Sequence, residues 1–518
     1  MSVRADIARG LAWAAVERWA RNALAFVVYF ALARLLAPEF FGLIALAGVF
    51  VAFLQIFVTQ GLGTALIQRA DVRDEHLDTA FWISLGLGVA LFGLVLVAAG
   101  PAARAVGEPS LAPVIAWLGL SLPINALSSV PTAVLMRSMR FKPLAIRSTL
   151  SVVVGGAVGV AMALAGFGVW SLVGQQLVGT AVGVAALWTA TDWRPGLRVS
   201  RACFRDLFGF SAGVLGNNVL WYFSQRLDQI VIGVGLGSIA LGVYFLAYRF
   251  VTLVLDMLTA PLQSVALPWF SQKQDDHAGL RAAYTRGTRL ACVTMFPIFL
   301  GLWAVGDMIT PLVFGSQWIE SGPVVAILAL AAALRAAQTF VNPAMLAIGR
   351  PGLYLALLVG HVTWTTVAMA IGFQWGVVGV AWAVTAASGV TGVVNALVLR
   401  RLISFRLRDQ ARMFVGPGGV AVMMALGVRA LMLALPDGAP ILVTALAPIA
   451  AGAALYSMLA WFACRDVIRD GVAVARGVLG RGAGAEAPAP AETPISSTPE
   501  TVASSARPSL DSSIAGAS

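Results

Sequence analysis

The sequence predicts an all-α, polytopic membrane protein with about fourteen transmembrane helices. Three observations carry that prediction: an apolar composition, apolar runs of spanning length, and an alternation in the charge of the segments between them. Of 518 residues, 59% are hydrophobic and only 11% charged, and mean hydropathy is +0.86. Soluble domains carry roughly a quarter charged residues. One membrane domain therefore fills most of the chain.

Crossing about 30 Å of hydrocarbon takes about 20 helical residues. Runs of that length fall near 11–37, 41–67, 79–99, 111–136, 146–165, 168–190 and 207–235. They continue near 239–270, 286–306, 322–346, 353–372, 375–400, 412–435 and 439–463. Alternate connections are basic, as in Arg137, Arg140, Lys142 and Arg147, or Arg400, Arg401, Arg406 and Arg408, whereas the others hold one clear cation, Arg104. By the positive-inside rule both termini are cytoplasmic, which requires an even number of spans. The net charge of +11 lies in these clusters. The cytoplasmic leaflet explains it better than nucleic acid does.

An internal repeat supports the count. LLAPEFFGLIALA, ending at Ala47, matches GLGSIALGVYFLA, ending at Ala247, with Gly42 over Gly242 at an offset of 200 residues. An even number of spans between the copies makes the repeats parallel. The expected organisation is an N-terminal lobe over 1–206, a C-terminal lobe over 207–411, two further helices over 412–463, and a cytoplasmic tail over 464–518. Past about residue 482 the chain is Ala, Pro, Ser, Thr and Glu without apolar periodicity, a composition expected to stay disordered. The first apolar stretch is interrupted by Glu17, Arg18 and Arg21 and lacks a small-residue cleavage site, so it is expected to be retained.

Enzyme signatures are missing. GVGLG at 233–237 lacks the full dinucleotide-binding spacing and reads as a helix end and turn. Asp275 and Asp276 sit in a short loop with no catalytic domain around them. No P-loop, HExxH or GxSxG occurs, and the three cysteines show no metal-binding spacing. No cofactor is expected. Gly155/Gly159 and Gly179/Gly183 stand four apart, a spacing that lets helices approach closely. Pro261, Pro268, Pro297 and Pro343 are candidate kinks.

Ionisable residues inside the spans are informative, because a mid-bilayer charge costs roughly 2.5–3.5 kcal/mol on insertion scales and normally faces a cavity or a partner. They are Glu17, Arg18, Arg21, Arg34, Arg226, Asp228, Arg249, Asp256, Arg335, His361 and Arg429. Arginine outnumbers acid, so a central cationic cavity is expected. Arg34 and Arg429 are close enough to helix ends to snorkel, and His361 reads as a hydrogen-bonding residue. Asn218, Trp221, Gln225 and Asp228 share a stripe suited to a sugar or a wet cavity. Arg249 and Asp256 share a helix face, so Asp256 is expected to pair with Arg249 during the cycle or to take up a coupling cation. Glu17 and Asp228 are further candidates for pairing or coupling.

Several segments carry a family likeness: LARLLAPEFFGLIALAGVF at 32–50, GLGTALIQR at 61–69, EHLDTAFWISLGLG at 75–88 and MRFK at 139–142. GFGVWSLVGQQL at 166–177, LDQIVIGVGLGSIALGVYFLAYR at 227–249 and PLQSVALPWFS at 261–271 extend it. In this order they resemble the Wzx-type polysaccharide exporters, the oligosaccharide-flippase branch of the multidrug/oligosaccharidyl-lipid/polysaccharide superfamily, and most of all the colanic-acid-exporter subgroup. The resemblance implies two six-helix lobes around a cavity and alternating access. Its cargo would be an oligosaccharide repeat unit on undecaprenyl diphosphate, exported across the inner membrane for exopolysaccharide or lipopolysaccharide synthesis. Membrane lipids would be partners, and a polysaccharide polymerase and co-polymerase are candidates. Arg18, Arg21, Arg226 and Arg249 are then the expected diphosphate ligands, because the guanidinium fork bonds phosphate oxygens bidentately. The alternative is a drug/cation antiporter of the same superfamily, whose cavity would favour carboxylates. A polymerase or glycosyltransferase would need a larger extracytoplasmic domain than these loops provide.

Overall fold

The computed structural model describes residues 21–59, 62–69, 71–273, 276–403, 405, 407–436, 441–463 and 465–466. Glu17, Arg18 and nearly all of the expected tail lie outside them. The described residues form helices and no strand. In order these are α1 (21–35), α2 (Pro38–Thr59), α3 (Leu62–Gln68), α4 (Asp74–Val106), α5 (Leu111–Gly119), α6 (Ser121–Ala126) and α7 (Ser129–Arg137). Then follow α8 (Phe141–Leu164), α9 (Val169–Ala190), α10 (Arg201–Gly235), α11 (Gly237–Ser271) and α12 (His277–Phe314). The remainder are α13 (Ser321–Ala336), α14 (Val341–Ala347), α15 (Pro351–Gly372), α16 (Gly376–Leu402), α17 (Leu407–Ala434) and α18 (Ile441–Ala463).

Among the described residues, ten helices are long and apolar enough to cross a membrane, or eleven if the bent stretch α5–α7 is one span. Three features separate this number from the expected fourteen. α15 and α16 count as one stretch over 352–402, and the described part of α1 is short. α10 is not among the ten, its apolar run being interrupted by Asn217, Asn218, Gln225, Arg226, Asp228 and Gln229. Two of these residues, Gln225 and Arg226, line a cavity.

Several helices pack or end on a recognisable sequence feature. α8 and α9 form a tight hairpin, and a Cβ on Gly155 would lie 2.6 Å from the Gln175 carbonyl oxygen and 2.9 Å from Gly179 Cα. Only glycine admits that approach. Gly155→Val should therefore lower the melting temperature of the purified protein by several degrees, as expected for overpacking a close contact, and an unchanged melt would argue against this packing. The GVGLG segment falls at the α10–α11 reversal, where Gly237 has φ +88°, and Asp276 caps α12 by accepting from Ala278 N and Gly279 N at 3.0 and 2.9 Å.

The two repeat segments meet. A Cβ on Gly42 would overlap the Ser238 carbonyl oxygen and lie 3.0 Å from Gly242 N. A Cβ on Gly242 would overlap the Pro38 carbonyl oxygen and lie 3.2 Å from Gly42 N. Pro38 and Ser238, like Gly42 and Gly242, differ by the repeat offset. The crossing of α2 and α11 is thus reciprocal, the pattern an isologous contact shows. Around it, Arg34 Nη1 donates to Leu312 O and Val313 O at 3.3 and 3.1 Å. Trp318 Nε1 donates to Ala33 O at 2.7 Å, and Gln317 Nε2 to Ala33 O and Arg34 O at 3.1 Å. Ser238 Oγ donates to Glu108 Oε2 at 3.0 Å. Tyr29, Phe41, Phe314 and Trp318 pack edge-on over this end, so Arg34 is a fastener between helices.

At the other end, segment 191–200 is held on α4. Gly196 N donates to Asp78 Oδ1 at 2.9 Å, and Trp82 Nε1 donates to Gly196 O at 2.7 Å. The segment leads into α10, whose Asp206 forms an ion pair with Arg69 at 3.2 Å.

Candidate functional site

Between α1, α2, α8 and α9 on one side and α10 and α11 on the other lies a cavity of about 920 Å³. Phe41, Leu32 and Phe245 close it beside the Gly42–Gly242 crossing. Its lining runs from Phe41 to Ala52 on α2 and from Phe245 to Asp256 on α11, a depth of about 16 Å at 1.5 Å per residue.

Arg226 on α10 and Arg249 on α11 line it, with Trp221, Gln225 and Asp256. Trp221 is exposed to it, at 56% of its full surface. Sequence reasoning missed Arg147 on α8, which also lines it. Arg147 stands five positions after Lys142, so it reads as one more cation of a basic loop. Its place inside α8 and the Ser151 one turn further along are the available signals. Gln175 and Gln176 on α9 and Asn125 on α6 line the cavity too, and amides in an apolar helix are the cue for them.

The cationic groups are poorly matched by the protein. No carboxylate comes within 4 Å of Arg147, Arg226 or Arg249 among the described residues. Arg226 Nη1 donates to Gln229 Oε1 at 2.9 Å, and Arg147 Nη1 to Thr132 Oγ1 at 3.3 Å. Arg249 and Asp256 share the cavity without an ion pair in this conformation.

Three expected residues, Asp228, Asn218 and Arg21, are absent from this lining. Asp228 turns away from the cavity, accepting from Tyr244 Oη at 2.6 Å and Gln229 N at 2.8 Å. It lines a water-sized pocket with Tyr248, Arg335 and His361, and His361 Nδ1 is 2.8 Å from Thr391 Oγ1. Asn218 is half-buried on α10, one turn before Trp221, and is not in the cavity lining. Arg21 precedes Ala25 by one turn on the α1 face that continues through Val28 and Leu32 into the lining.

The sequence profile described as polysaccharide biosynthesis protein matches residues 31–323, more than half of the chain. The chain belongs to the polysaccharide biosynthesis protein family. The matched region of this family spans the α2–α11 crossing and every arginine of the cavity lining.

Among curated proteins, the succinoglycan biosynthesis transport protein ExoT of Rhizobium meliloti is 29% identical over 91% of this chain and 96% of its own length. The lipopolysaccharide biosynthesis protein WzxC of Escherichia coli is 26% identical over 68% of this chain and 72% of its own. Among solved structures, the lipid II flippase MurJ in an inward closed conformation superposes with a TM-score of 0.73, at 15% identity, covering 88% of this chain and 99% of MurJ. A multidrug resistance MATE family transporter of the MOP superfamily, inward-facing, gives 0.59 at 18% identity, covering 75% and 98%. This family member therefore has the MurJ/MATE transporter fold.

Proposed function

We propose that this multi-pass membrane protein is a flippase that carries an undecaprenyl-diphosphate-linked oligosaccharide across the inner membrane by alternating access. One observation carries the reading: Arg147, Arg226 and Arg249 surround a single large cavity and have no carboxylate within 4 Å among the described residues. Like charges gathered in one cavity repel one another, and an anionic cargo supplies the missing counter-charge. Arg226 and Arg249 sit on neighbouring helices, so a diphosphate can bridge them through bidentate bonds. The roles for which the relatives are named, succinoglycan transport and lipopolysaccharide biosynthesis, support the same class of cargo.

The cavity volume is near the upper end for ligand sites, as a glycan requires. Drug/cation antiport, the second reading, is disfavoured by a lining with three arginines and one aspartate. Following the basic connections, we read fourteen crossings with both termini in the cytoplasm. The Gly42–Gly242 crossing then closes the periplasmic side, and the cavity faces the cytoplasm. The lobes 1–206 and 207–411 are the bodies that would rock about this crossing.

Deleting the gene should stop surface polysaccharide export and raise a lipid-linked oligosaccharide in the membrane, read by mass spectrometry of extracted lipids, with restoration by the full-length chain. Normal polysaccharide with no accumulated intermediate would overturn the proposal.

A further inference from the structure

The α8–α9 wall of the cavity is built differently from the α10–α11 wall opposite, adding neutral amides to its single arginine. Gln175 and Gln176 stand side by side on α9, and neither side-chain amide has a hydrogen-bond partner among the described residues. Two glycines hold the polar arms of this wall. A Cβ on Gly159 of α8 would lie 2.8 Å from Gln175 Cβ, so the stem of Gln175 runs over that glycine. A Cβ on Gly183 of α9 would lie 3.5 Å from Arg147 Cγ, so the stem of Arg147 runs over the reciprocal one. The glycine pairs thus do more than bring two helices together. They seat a long polar side chain of each helix on the other.

From this arrangement we infer that the α8–α9 wall is a glycan subsite, with Gln175, Gln176 and Arg147 reading the hydroxyls of the sugar while Arg226 and Arg249 hold the diphosphate. The inference rests on the proposed lipid-linked cargo and assigns its orientation in the cavity. A carboxamide offers both a donor and an acceptor, which matches adjacent sugar hydroxyls that need both. Arg147 adds several fixed donors, of which Thr132 uses one. On the α10 side, exposed Trp221 offers an apolar face against which a sugar ring can lie. A site built to hydrogen-bond hydroxyls discriminates against a ligand lacking them, because its polar groups are then left unpaired. The wall therefore separates glycan-bearing lipid from the sugar-free carrier.

Native mass spectrometry of the purified full-length protein tests this with two probes. One is undecaprenyl diphosphate without sugar, and the other is the lipid-linked oligosaccharide extracted from cells lacking this protein. Wild type is expected to prefer the glycan-bearing lipid about tenfold, a difference of about 1.4 kcal/mol. Gln175→Ala/Gln176→Ala should bring the two lipids near parity while sugar-free lipid binds as before, which also reports an intact fold. Arg226→Ala and Arg249→Ala should weaken both lipids alike. Retained preference in the double glutamine variant overturns the subsite, and so does equal loss of both lipids in that variant. If wild type binds neither lipid, the lipid-linked cargo reading itself fails and the subsite with it.

Discussion

Arg249→Ala is expected to cut polysaccharide export about tenfold to a hundredfold without destabilising the protein. Hydrogen bonds to charged groups contribute about 1.5–3 kcal/mol each, and every 1.4 kcal/mol is about tenfold. What separates a ligand-binding role from a structural one is the second half of the expectation. Arg249 has no ion pair or hydrogen bond to another described residue, and α11 is held there by neighbours, with Tyr244 donating to Asp228 of α10 and Phe250 packed edge-on against Phe314 of α12. Removing a cation that has no ion pair among the described residues should leave the melting temperature unchanged or slightly raised. Arg249→Lys should restore export only in part, because lysine keeps the charge and loses the planar fork. Full export by Arg249→Ala at normal expression would sink the anionic-cargo reading.

A second large effect is expected at the crossing of α2 and α11. Gly42→Ala or Gly242→Ala puts a methyl group into a backbone carbonyl of the facing helix, so the helices must separate. Overpacking of this kind costs typically 1–3 kcal/mol, enough to shift a two-state equilibrium by about tenfold or more. The conformation closed at this end should be depopulated. A cysteine at Thr252 in the cavity should then react with a membrane-impermeant maleimide added from the periplasm several times faster than in the parent, and export should fall. Gly86→Ala on α4 is the control, since a Cβ there meets nothing within 4 Å. Unchanged labelling and export in both crossing variants would show that the crossing does not open.

Much of the bundle was legible because lipid imposes a simple rule: long apolar runs become helices. The Gly42/Gly242 match was legible as a repeat, and its reciprocal contact follows from parallel copies of one unit meeting at their common axis. Arg226, Trp221, Gln225, Arg249 and Asp256 were readable as cavity residues because polar groups on one helix face must find water or a partner. Asp228 was on the same stripe, yet it faces away, since its hydrogen bond from Tyr244 comes from a neighbouring helix that spacing on α10 cannot reveal. Arg147 was hidden by the basic cluster just before it. The amides Gln175 and Gln176 were hidden because uncharged residues cost too little in a span to draw notice. The seating of Gln175 and Arg147 over Gly159 and Gly183 needed the register between two helices, which a single sequence does not contain.

The fasteners around the crossing have an unequal tolerance to mutational drift. Arg34, Gln317 and Trp318 contribute side-chain donors, whereas Ala33, Leu312 and Val313 accept through main-chain oxygens alone, as Arg34 also does from Gln317. Every residue type carries such an oxygen, so the accepting positions are free to vary in size and polarity as far as packing allows. In these bonds selection acts on one side alone, unlike the Ser238–Glu108 bond, whose partners are both side chains. Divergent copies of this protein can therefore keep the same latch with almost no shared identity at half of its positions, and the latch will be recognised by its donors or overlooked.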